Sequence, residues 1–180
     1  MESDADLLDR AVAAALALAA DAPWRTVTLR AIAEKAAIPF PDLYARADGK
    51  AALLAHLSAR FDRAALATAS ATSDDAHDRL FDAVMARVEV MEPHRDALIA
   101  IARAEGPLPL LVHFPRTARA ILEAAGVEAT APRLAAMTAV WARTAQVWRD
   151  DEGALNRTMA EIDKRLKDMR RRLGRIGAGF

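Results

Sequence analysis

The sequence has no cysteine, which removes disulfides, thiolate nucleophiles and thiolate-bound metal from consideration and favours a cytosolic compartment. Glycine is scarce and β-branched runs are absent, whereas alanine is abundant, a composition that argues for helices. No apolar run approaches the ~18 residues that a membrane span requires; the longest candidate is Ala11 to Ala20. The acidic start, MESDADLLDR, makes a poor signal peptide. Net charge is also missing. Lys plus Arg and Asp plus Glu both number 25, and the sequence pI is 6.9, so nothing pulls the whole chain toward nucleic acid. Residues 1–60 carry seven cations (Arg10, Arg25, Arg30, Lys35, Arg46, Lys50, Arg60) against eight carboxylates. That balance is not the clustered basic footprint of a strong phosphate binder.

Catalytic signatures are missing as well. His56, His77, His94 and His113 are scattered, and none forms a HExxH or an i,i+4 pair that could hold a metal. There is no Gly-rich phosphate loop and no GxSxG. The paired carboxylates at Asp74-Asp75 and Asp150-Asp151-Glu152 fall at expected helix ends, where capping and solvated charge account for them. No catalytic residue, metal or cofactor is expected, and an enzyme is a distant third among the readings of this chain.

What is present is a succession of helix signals in a chain long enough for one or two small domains. A first helix is expected from Asp4 to about Ala20, ended by Asp21-Ala22-Pro23, with Trp24 packing over the join to the next. Thr28 is a good N-cap, and Leu29, Ile32, Ala33 and Ala36 follow at helical spacing. Pro39 pushes Ile38 off helical angles and breaks the pattern. A short helix is expected from about Pro41, carrying Leu43 and Tyr44, and a long one from Gly49 to Thr68 with Lys50 in its first turn. After the polar stretch Ser70 to Asp75, Ser73 is the expected cap of a helix running to Met91. Further helices are expected over Arg95–Ala104, from Pro115 to Ala125 with Gly126 as C-cap, from Thr130 to Asp150, and from Ala154 to Arg175. The chain is therefore expected to be all-α with about nine helices, divided into residues 1–66 and 67–180.

The run TLRAIAEKAAIPFPDLYARADGKAALL, Thr28 to Leu54, is a helix-turn-helix pattern. Through Thr28, Leu29, Ile32, Ala33, Ile38, Leu43, Tyr44, Lys50, Ala52 and Leu53 it resembles the DNA-binding head of TetR-family transcriptional regulators. The resemblance implies a second helix lying in the major groove, with Thr28, Tyr44 and Lys50 on phosphates. The DNA-facing set it implies is Thr28, Arg30, Phe40, Asp42, Tyr44, Arg46 and Lys50. The chain departs from the family at Ala37, where a glycine is usual in the turn. It departs again at Pro39-Phe40-Pro41-Asp42, where Ser, a basic residue, Gly and Thr usually open the recognition helix. Phe and Pro offer base edges no donor or acceptor.

In the second half, Leu155, Met159, Ile162, Leu166, Met169, Leu173 and Ile176 recur in steps of four and three, a narrow seam of coiled-coil type. It reads either as packing onto the chain's own bundle or as half of a two-fold four-helix interface, the latter being what the TetR resemblance implies. The expected homodimer contacts are Trp141, Trp148, Leu155, Met159, Ile162, Leu166 and Met169. The body's apolar residues Met85, Met91, Leu110, Phe114, Met137 and Trp141 are candidate linings of a ligand pocket, and core packing explains each of them equally well. The cations crowding the chain's end, Lys164 to Arg175, complement a helix C-terminus or meet an anionic membrane surface.

Two functions follow. One is a cytoplasmic, homodimeric TetR-like regulator of operator DNA that responds to a small molecule. The other is a lipid- or apolar-ligand-binding accessory protein of the ubiquinone-biosynthesis type, which shares the fold and lacks a working DNA helix. Phe81–Ala102 and Met137–Leu166 are similar in helix spacing to those proteins.

Overall fold

The computed structural model describes residues 3–70, 73–106, 112–151 and 155–180. Its α-helices are α1 (Asp4–Asp21), α2 (Leu29–Lys35), α3 (Phe40–Tyr44), α4 (Lys50–Ala67), α5 (Ala76–Met91), α6 (Arg95–Glu105), α7 (Phe114–Ala124), α8 (Ala131–Arg149) and α9 (Asn156–Arg175). Short 3-10 turns follow α1, α4 and α5, and no strand occurs among the described residues. The expectation of an all-helical chain of about nine helices holds. Among the described residues, no helix is long and apolar enough to cross a membrane.

The chain's contacts group it into two compact units, Met1–Arg60 with His94–Leu110, and Phe61–Pro93 with Leu111–Phe180. The expected boundary at 66/67 falls at the end of α4, whereas compactness places α6 with the N-terminal helices.

In the first unit, a capping box starts α1: the Ser3 hydroxyl accepts from the Asp6 N–H, and the Asp6 carboxylate accepts from the Ser3 N–H. The face of α1 carrying Leu7, Ala11, Val12, Ala15, Leu16 and Ala19 is buried, and α6 packs on it through Ala97 and Ile101. Trp24 is 2% exposed, and its indole N–H donates to Glu105 at the end of α6, 2.7 Å away. Packing over the helix join, foreseen for this residue, is thus fixed by a polar tip that needs a partner once buried. His56 of α4 and Asp9 of α1 approach to 2.7 Å.

In the second unit, α8 packs on α7 and α9, and α5 packs on α7 and α9. The core holds Leu80, Val84, Val88, Ile121, Leu122, Met137, Trp141, Ile162 and Leu166. Burying each large aliphatic side chain contributes about 1.5–3 kcal/mol. The cap of α5 is a correction. Asp75, not Ser73, accepts the first orphan N–H, from His77, while the Ser73 hydroxyl donates to Asp78. A carboxylate directly before the helix is the stronger acceptor and favours the positive end of the dipole. Gly126, at φ +66, follows α7, and the Val127 N–H closes back on the Leu122 carbonyl at 2.9 Å, the expected glycine stop. Leu155, at φ +53, precedes α9, and Asp151 caps that helix from upstream by accepting both the backbone N–H and the hydroxyl of Thr158.

Candidate functional site

The helix-turn-helix is built as the pattern demands. Thr28 Oγ1 accepts from the Ala31 N–H at 3.1 Å and starts α2. Ile32 and Ala33 of α2, Ile38 of the turn and Leu43 of α3 are buried and fix the angle of the two helices. The turn passes through Ala37 at φ +52, after which the Ile38 N–H closes on the Ala33 carbonyl at 2.9 Å. A left-handed alanine costs about 1 kcal/mol, so the geometry that a glycine makes easy is held here by packing of Ile38 and Leu43. Pro39 precedes α3 and Pro41 lies in its first turn, leaving five helical residues, Phe40 to Tyr44, one residue earlier than the expected start at Pro41.

Of the expected DNA-facing set, Arg30, Phe40 and Tyr44 come together. The Arg30 guanidinium lies 5.1 Å over the Phe40 ring, and the Phe40 and Tyr44 rings are 5.8 Å apart. Tyr44 is 54% exposed and Asp42 is exposed beside it. The other cations are engaged within the unit. Arg46 Nε donates to Asp4 at 2.6 Å, and its Nη1 to the Asp42 carbonyl at 2.9 Å. Lys50 Nζ donates to the Trp24 carbonyl at 3.0 Å and lies 4.6 Å over the indole ring. Arg25 Nε donates to the Ala104 carbonyl.

In the second unit, Met85, Met91, Met137 and Trp141 are buried and Phe114 is half-buried; Leu110 lies outside the described residues. Phe114 meets Trp141 edge-on, with centroids 6.3 Å apart. Of the expected dimer contacts, Trp141, Trp148, Ile162, Leu166 and Met169 are buried within the single chain, Leu155 is half-buried, and Met159 is 41% exposed. The Trp148 indole N–H donates to Glu92 at 2.7 Å. The cations of α9 are largely matched, Arg165 by Glu161, Lys167 by Asp163, Arg170 by Asp75 and Arg171 by Asp168.

Sequence reasoning missed a buried polar cluster beside these apolar residues. Asp62 of α4 and Arg87 of α5 pair at 2.7 Å, each with its side chain 5% exposed. Asp62 Oδ1 accepts from Arg87 Nη1 and also from the Thr117 hydroxyl at 2.9 Å, while Asp62 Oδ2 has no hydrogen-bond partner. The Arg87 guanidinium lies 4.8 Å over the Trp141 ring and 5.6 Å over that of Phe61. Burial pulls Arg87 down to about 10, against the opposing pull of Asp62. The available signal was the position of Arg87 on the apolar stripe Leu80, Val84, Val88, Met91, where a lone charge demands a buried partner. No group of three His, Asp or Glu side chains among the described residues is arranged to hold a metal.

No protein-family model matches the chain, and no curated protein matches it in sequence. A solved structure does match, the crystal structure of a TetR transcriptional regulator from Rhodococcus sp. RHA1. The TM-score is 0.69 over 89% of this chain and 93% of that chain, at 16% sequence identity. The present chain has a TetR-like fold, and at that identity the likeness carries the fold alone.

Proposed function

We propose that this chain is a homodimeric, cytoplasmic, non-enzymatic transcriptional regulator that binds operator DNA through its helix-turn-helix and responds to a small apolar molecule in its helical body. The observation that carries this reading is the contiguous surface of Arg30, Phe40 and Tyr44, with Asp42 beside it, held outward by a buried Leu43. In a major groove, Phe40 meets a thymine methyl and Asp42 accepts from a cytosine amino group, pairings that replace the missing Ser, Gly and Thr. Arg30 and the Tyr44 hydroxyl supply phosphate donors, and Lys50 joins them by exchanging the Trp24 carbonyl for a phosphate. The pairing of two heads uses the outer face of α8 and α9, to which Met159 contributes exposed apolar area, with the half-buried Leu155 adjoining it and Trp141, Ile162 and Leu166 giving support from beneath.

Selection from a random duplex pool tests the reading. Enrichment of a palindromic site, with half-sites about one helical turn apart, is expected, and light scattering is expected to give a dimer. A pool that stays random after repeated rounds overturns it.

A second reading keeps the fold and drops the DNA. Arg46 and Lys50, the cations expected at bases and phosphates, are both engaged within the first unit, and this favours a lipid- or apolar-ligand-binding accessory role of the ubiquinone-biosynthesis type. Native mass spectrometry of the purified protein, with an apolar molecule bound and no enrichment of DNA, decides for it.

A further inference from the structure

We infer that the buried cluster of Asp62, Arg87, Thr117 and Thr144 around Trp141 is the recognition centre for the body's ligand, and that this ligand is a small neutral molecule presenting an O–H or N–H donor on an aromatic-sized apolar frame. The inference rests on the ligand-responsive reading above and adds the chemistry of the site.

Core packing does not call for this cluster. Removing two charges from water costs several kcal/mol each, and a buried pair recovers this only when the remaining lone pairs and protons are satisfied. Here they are unevenly satisfied. Both donors, Arg87 Nη1 and the Thr117 hydroxyl, converge on Asp62 Oδ1, while the other carboxylate oxygen takes none. Thr144, at 0% exposure, has a hydroxyl without a partner as well. It lies one turn beyond Trp141 on α8, on the same face, and Trp141 packs on Arg87. Buried polar atoms are almost always paired, so the orphan Asp62 Oδ2 of the ion pair, with the orphan Thr144 hydroxyl one turn beyond Trp141, marks a place where a partner from outside the chain belongs.

The residues also define that partner. Asp62 and Arg87 cancel, so the site has no net charge to attract an ion, and a charged guest would lose its hydration without compensation. Asp62 Oδ2 can only accept, so the guest must donate; the Thr144 hydroxyl can accept from the guest or donate to it. The surroundings, Trp141, Phe61, Phe114 and Met137, are aromatic or apolar, the usual composition of a small-molecule site with few polar anchors.

The probes are phenol and anisole, equal in frame and differing in the donor. Binding is read from the indole N–H resonance of Trp141, with those of Trp24 and Trp148, held by Glu105 and Glu92, as internal references. Phenol is expected to shift the Trp141 resonance saturably and anisole to bind about tenfold more weakly, the value of one hydrogen bond. Thr144→Val removes a hydroxyl that has no partner among the described residues, so the fold is retained; phenol affinity falls about tenfold, and Thr144→Ser restores it. A shift that never saturates, equal affinity for anisole, or unchanged phenol affinity in Thr144→Val overturns the inference. The regulator reading is judged separately by DNA selection on the unaltered protein, so either can fail alone.

Discussion

The two units handle charge in opposite ways. In the first, the buried side chains are apolar, and cations such as Arg25, Arg46 and Lys50 are satisfied at or near the surface by carbonyls, a carboxylate and an indole face. In the second, an ion pair lies inside the core, stacked between aromatic rings. The contrast separates two kinds of polar contact. Surface pairs hold local geometry at little energetic consequence, whereas the interior pair is a large term that only a full set of partners offsets.

Removing one member of the interior pair is the strongest way to break the contrast. Arg87→Met leaves Asp62 charged, buried and attached only to Thr117, and is expected to cost about 3–5 kcal/mol in urea unfolding. Adding Asp62→Leu to it is expected to recover most of that loss, because matched apolar replacements of buried pairs are close to neutral. Failure of the double variant to recover would mean that the pair is needed for packing.

The turn of the helix-turn-helix gives a smaller effect of opposite sign. Ala37→Gly removes the left-handed strain at φ +52 and is expected to stabilise the protein by about 0.5–1 kcal/mol. On the surface, Arg46→Ala breaks the contact with Asp4 and is expected to cost less than ~1 kcal/mol, in proportion to the exposure of the pair.

The smallest effects are in the acid response, and they separate the units. His94, in the first, is held below its ordinary value of 6.5 by burial and by Arg60. The unfolded chain therefore takes up this proton first, and the stability it contributes is complete above about pH 6.5 and lost as pH falls below it. In the second unit, the Arg165 hydrogen bond, with help from Arg143, holds Glu161 below its ordinary 4.5. Lys167 and then His77 lower Asp163, and the His77 backbone N–H and Arg170 lower Asp75. The sign is the same at lower pH: their contribution is present above about pH 4.5 and lost as pH falls through the carboxylate range. Acid titration of stability is expected to show an early step that His94→Gln removes and a later step that it leaves.

The helices and the helix-turn-helix were legible because period and capping chemistry are local. Thr28, the Pro39 break and Gly126 each act within a few residues of themselves. The seam on α9 was legible as apolar, but its partner was not: Ile162 and Leu166 are fully buried in their own chain, and a heptad pattern does not say which surface it covers. The cap of α5 falls to the other of two competing acceptors, Asp75 rather than Ser73, two residues apart. The interior pair was unread because Asp62 and Arg87 are 25 residues apart: Arg87 stands on an apolar stripe, but nothing local names Asp62 as its partner. The engagement of Arg46 and Lys50 is likewise a long-range fact, with partners 42 and 26 residues away.

On the proposed function, the first unit reads duplex DNA with few cations and an aromatic contact surface. The most direct measurement is fluorescence anisotropy of a labelled duplex from immediately upstream of the protein's own coding sequence, titrated at several salt concentrations beside a scrambled duplex. Preference for the upstream duplex is expected, with a slope of log K against log salt of about −4 for a dimer placing Arg30 and Lys50 of each head on phosphate. Equal binding to the two duplexes at every salt concentration, or binding to neither, contradicts it.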